Sequence, residues 1–91
     1  MDLPDFETFR NAALAQGYHE VLPRHWEPLT QVATHVHPFE ADALVVQGEM
    51  WLTVGDETRR LEAGGRFHLP AGTEHSERYG TEGAVYWVAR R

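Results

Sequence analysis

After Gly17 the chain is cut by glycine and proline into short runs of alternating apolar and polar residues, and this punctuation restricts the fold more than any other feature. Strand-like runs fall at residues 18–24, 29–37, 43–47, 49–54, 57–61, 66–69, 73–79 and 83–89. Gly55-Asp56 reads as a two-residue hairpin turn, with glycine at the first central position as type II′ prefers. Ala63-Gly64-Gly65 and Pro70-Ala71-Gly72 turn the chain again. Many short strands at even spacing predict an all-β fold, a small antiparallel β-barrel or sandwich. Ahead of them, residues 5–16 predict one short helix: Asp5 can cap it, Phe6, Phe9, Ala13 and Leu14 fall near one face, and Gly17 can end it.

A chain of 91 residues is one domain's worth. A chain this short buries roughly 60% of its unfolded surface, so further burial in a homodimer is expected to help it. The net charge of −6 argues against nucleic acid or an anionic membrane as partner, because both select for basic patches. The segment MDLPDFETFR lacks the basic and apolar regions of a signal peptide, and no apolar stretch approaches the ~18 residues of a membrane span. A cytoplasmic location is the expectation. With no cysteine, disulfides and thiolate metal sites are excluded, so any metal must be held by nitrogen and oxygen.

The segment THVHPFEADALVVQGE, residues 34–49, carries the chemistry. Side chains two apart on a strand share a face, so His35 and His37 bring their imidazoles close together. Such a pair either chelates a metal or sits solvated at the surface. A third histidine, His75, follows the turn in GGRFHLPAGTEH, residues 64–75. If both segments line one barrel, three neutral imidazoles meet, a donor set suited to Zn, Fe, Ni, Cu or Mn. Glu77 shares the face of His75 and offers a ligand, a carboxylate orienting an imidazole, or a general base. His19, His25 and His68 lack this spacing and read as surface residues.

These residues resemble the cupin superfamily, and within it the small single-domain bacterial cupins. The second family motif, G-x5-P-x-G-x2-H-x3-N, runs from Gly64 through Pro70, Gly72 and His75, with Tyr79 in place of the final asparagine. The first, G-x5-H-x-H-x3-4-E-x6-G, matches at His35, His37 and Gly48. Leu29 stands where its first glycine belongs, and Ala41 where its glutamate ligand belongs, flanked by Glu40 and Asp42.

The resemblance implies a cupin domain over residues 1–91: a helix at about 5–16, then a jelly-roll barrel at about 18–91, with the motifs at 35–48 and 64–79. It implies a divalent metal on His35, His37 and His75, with Glu40 or Asp42 as further candidates if the turn after Pro38 shifts register. Glu77 is the candidate catalytic group. Phe39, Trp51, Phe67, Glu77 and Tyr79 are expected as pocket walls, with Trp51 and Trp87 alternatively at a dimer interface. It also implies a homodimer, often built by exchanging N-terminal strands, here residues 18–24. The function implied is metal-dependent binding of a small polar molecule, with dioxygenase, isomerase or decarboxylase chemistry as analogues. The alternatives are a non-catalytic small-molecule sensor and a degenerate metal-free barrel.

Overall fold

A computed structural model describes residues 2–91. One helix, α1 (Phe6–Ala15), precedes six strands: β1 (Glu20–Trp26), β2 (Gln31–His35), β3 (Ala41–Val54), β4 (Glu57–Glu62), β5 (Arg66–Leu69) and β6 (His75–Arg90). Asp5 caps the helix, its carboxylate accepting the Thr8 N–H at 2.8 Å. The helix buries Phe9 and Ala13 and lays Phe6 and Phe9 over the Trp87 ring, with ring centres 5.4 and 5.8 Å away. Trp87 is thus covered by the chain's own helix. Among the described residues no helix is long and apolar enough to cross a membrane.

All strand pairs are antiparallel. The two long strands organise the jelly roll. Residues 75–79 of β6 lie between β2 and the second half of β3, while residues 84–90 lie between β1 and the first half of β3. β3 is flanked outside by β5 over its first half and by β4 over its second. Each long strand therefore serves two four-stranded halves of the barrel.

This continuity is where the structure departs from the sequence reading, which ends one strand at Gly48 and starts another at Glu49, and likewise divides β6. Gly48 bends β3 without ending it. It has φ +80°, and a Cβ there would meet the Gly83 carbonyl oxygen at 2.1 Å. A Cβ on Gly83 would in turn meet the Trp26 carbonyl oxygen of β1 at 2.1 Å. Lacking side chains, the two glycines let three strands close on one another at the bend.

Inward residues of both halves form the core, where Ala43, Val45 and Met50 are fully buried together with Tyr79 and Leu52. A smaller cluster of Ala13, Tyr18 and Ala89 seats the helix on the outside.

Candidate metal centre

His35 ends β2 and His75 begins β6, and the two are direct partners in the antiparallel register. His37 lies two residues past the strand, where its carbonyl accepts the Gly72 N–H at 2.9 Å. The three imidazoles converge: ring centres are 4.3 Å apart for His35–His75, 4.7 Å for His35–His37 and 5.3 Å for His37–His75. One nitrogen from each lies within 4.8 Å of the others.

The backbone selects which nitrogens face inward. Nδ1 of His35 lies 2.8 Å from the Ala33 carbonyl, and Nδ1 of His75 lies 2.9 Å from the Thr73 carbonyl. A carbonyl oxygen only accepts, so both Nδ1 atoms carry the proton and both Nε2 lone pairs are free. This is how protein carbonyls orient metal-ligating histidines. Burial, with His35 and His75 nearby, holds the His37 imidazole below its ordinary pKa and so favours the neutral, ligating form. The donor set fits a divalent transition metal.

Glu77 is the carboxylate that joins them. It is 7% exposed, and its Oε2 stands 3.7 Å from His35 Nε2 and 3.8 Å from His75 Nε2. Its Oε1 accepts the Tyr79 hydroxyl at 2.5 Å. Burial pushes the Tyr79 phenol well above its usual pKa, so it stays a donor.

The acids of the first motif point elsewhere. Ala41 opens β3 facing the histidine cavity, where it presents only a methyl group. Glu40 turns outward, with oxygens 2.5 Å from His68 Nε2 and 2.7 Å from Arg91 Nε. These partners, Arg91 foremost, lower its pKa to about 2. Asp42 lies 3.4 Å from Arg66 on the outer face. The turn after Pro38 keeps strict alternation, so neither acid reaches the cluster.

The cavity has a volume of about 70 Å³. Phe39, Phe67 and Glu77 line it. Trp51 does not: it faces out from β3 beneath the Arg78 guanidinium, 4.0 Å from the ring centre. Tyr79 lies behind the wall, stacked on Trp26 at 4.9 Å. Sequence reasoning missed Arg24, Trp26 and Arg90, which also line the cavity. The available signal was alternation, since Arg24 shares a face with Leu22 and Trp26, and Arg90 with Tyr86 and Val88.

A family model described as the cupin domain matches residues 23–89. The chain belongs to the cupin family. No curated protein matches the sequence. Among solved structures, the cupin domain of Schizosaccharomyces pombe Cnp3 superposes with a TM-score of 0.71 at 18% identity, covering 77% of this chain and 50% of that one. The DMSP lyase DddQ from Ruegeria pomeroyi gives 0.72 at 24%, covering 78% and 36%. Bacillus subtilis oxalate decarboxylase, a protein with Mn(II) centres, gives 0.69 at 23%, covering 77% and 20%. The chain thus spans half the length of the first and less of the other two. These likenesses establish the fold.

Proposed function

We propose that this protein holds a divalent metal on His35, His37 and His75 and binds a small molecule beside it, inside the barrel. The observation that carries this reading is the convergence of three imidazoles within 4.8 Å, two of them with Nδ1 engaged by backbone carbonyls. A solvated surface cluster has no reason to be aimed in this way, and His75 is only 4% exposed. The metal centres of a structural relative, the manganese-containing oxalate decarboxylase, support the same reading.

A bound metal supplies Lewis acidity to oxygen donors of a ligand. The chain's own groups do the rest. Nε2 of His35 and His75 face the cavity, and Glu77 presents Oε2 between them as a proton acceptor. Tyr79 fixes the other Glu77 oxygen, so the carboxylate cannot rotate away. Apolar walls from Phe67, Leu69 and Val88 exclude water from one side. A buried carboxylate within hydrogen-bond reach of a bound molecule is suited to general acid–base work. Glu77 thus makes the metal-dependent enzyme the favoured form of the reading over a passive sensor.

Metal analysis of protein purified without added metal, then reconstituted, tests the centre. One equivalent of metal per chain is expected, with thermal stability raised by about 10 °C at one hundred times Kd. His75→Ala should abolish that rise while leaving a folded barrel. Absence of metal after reconstitution, or a rise that survives in the variant, defeats the assignment.

A further inference from the structure

Inward positions on barrel strands are normally apolar, yet two of them around this cavity are arginines. Arg24 lies between Leu22 and Trp26 on the inner side of β1, and Arg90 ends β6 beyond Tyr86 and Val88. Each is held over an aromatic ring that leads back to the site. The Arg90 guanidinium carbon is 4.7 Å from the Phe39 ring centre, and Phe39 stacks on His37 at 4.7 Å and 14°. The Arg24 guanidinium carbon is 4.9 Å from the Trp26 ring centre, and Trp26 stacks on Tyr79 at 4.9 Å and 12°. Two cation–aromatic ladders thus run from the arginines, one to His37 and one through Tyr79 to Glu77.

Their donors are not used up. Arg90 spends Nη1 on Glu20 at 3.0 Å, but its buried Nε has no partner. The buried indole Nε1 of Trp26 is turned to the Tyr86 hydroxyl. Among the described residues no carboxylate lies within 4.0 Å of the Arg24 guanidinium; the arginine ion pairs involve other residues. A buried donor without a partner is rare, and beside unpaired guanidinium groups on a cavity lining it awaits an acceptor from a ligand. The cavity lining carries two guanidiniums against the single carboxylate of Glu77, in a chain whose net charge is −6. The remaining wall, from Ala41, Phe67, Leu69 and Val88, is apolar.

The geometry points to a short aliphatic carboxylate as the ligand. Its anionic head is held by Arg24 and Arg90, and its stem lies against Phe67 and Leu69. Arginine's planar fork matches a carboxylate, and the apolar wall favours an organic anion over an inorganic one. The inference deepens the small-molecule reading above and rests on it, but it does not require the metal.

The test titrates propionate, propionamide and inorganic phosphate into the full chain, metal-stripped and zinc-loaded, followed by calorimetry and tryptophan fluorescence. Propionate should bind about tenfold or more tightly than propionamide in both forms, because the amide lacks the charge the arginines select. Arg24→Gln and Arg90→Gln should each remove most of that preference, and Arg24→Lys should restore part of it. Equal binding of acid and amide overturns the proposal. So does an unchanged preference in well-folded Arg24→Gln, or phosphate binding as tight as that of propionate. Zinc content of the same samples reports on the metal separately: zinc without acid preference defeats only the carboxylate, and acid preference without zinc defeats only the metal.

Discussion

The backbone N–H of Gly72 donates to the carbonyl of His37 across 2.9 Å. His37 has already left β2, so no strand ladder fixes it. This bond ties it to the turn that launches His75, while His35 and His75 are aligned by strand pairing. The two motifs are joined by backbone hydrogen bonds before any side chain is considered, and the spacing of the histidines follows from that frame.

Glu77→Gln should weaken metal binding by about tenfold or more, because it removes the negative charge between His35 and His75 while keeping the Tyr79 hydrogen bond acceptor. Competition against a chelator of known affinity reads this directly. Unchanged affinity would show that the carboxylate takes no part in holding the ion.

Acid should act in two separate windows. The His37 imidazole has a pKa below its ordinary 6.5 in the folded protein, with burial the leading cause. The unfolded chain therefore binds more protons there, and metal-free stability should decline as pH falls below about 6.5. Metal affinity should fall over the same range, since protonated imidazole cannot ligate. Glu40, whose pKa is lowered from 4.5 to about 2, contributes stability that is present above 4.5 and lost as pH drops toward 2. Denaturant midpoints measured from pH 2 to 8 resolve both. Glu40→Gln should flatten the lower window and leave the upper one intact.

Leu29 holds φ +60° and is 67% exposed, so its side chain gains little from burial while its backbone sits in the left-handed region. Leu29→Gly should raise stability by about 0.5–1 kcal/mol, the relief of strain outweighing the added freedom of the unfolded chain. Calorimetry should show a melting temperature a few degrees higher. A lower one would mean that the leucine makes contacts worth more than the strain.

Gly48→Ala should cost about 2 kcal/mol or more, because its Cβ has to displace the backbone at Gly83 as well as accept φ +80°. Gly55, also at positive φ but with open space around it, should lose only the conformational part on the same change. Chemical denaturation of the two variants side by side separates clash from strain.

The His35–His37 pair was legible in the sequence because period-two alternation places residues on a face without reference to distant chain. His75 joined it only through the resemblance of the two motifs, and the pairing of β2 with β6 brings it there. The same alternation turns Glu40 and Asp42 outward with Ala41 inside, so the register shift that would have made either acid a ligand does not occur. Two things were hidden. Gly48 looks like a strand end in one dimension, and only the approach of Gly83 from far along the chain makes it a bend within a longer strand. Trp51 was expected as a pocket wall and Arg24 was missed for a related reason. Aromatic residues suggest interior and arginines suggest surface, yet Trp51 is capped outside by Arg78 while Arg24 is drawn inside by the Trp26 ring.

β6 carries His75 and Glu77 near its start and Arg90 at its end, and it belongs to both halves of the barrel, as β3 does. The two halves are therefore stitched together by unbroken chain and cannot hinge apart like the shells of a clam. Traffic to the histidines has to pass through the rim. The guanidiniums of Arg24 and Arg90, held over the Trp26 and Phe39 rings, are then part of a fixed vessel.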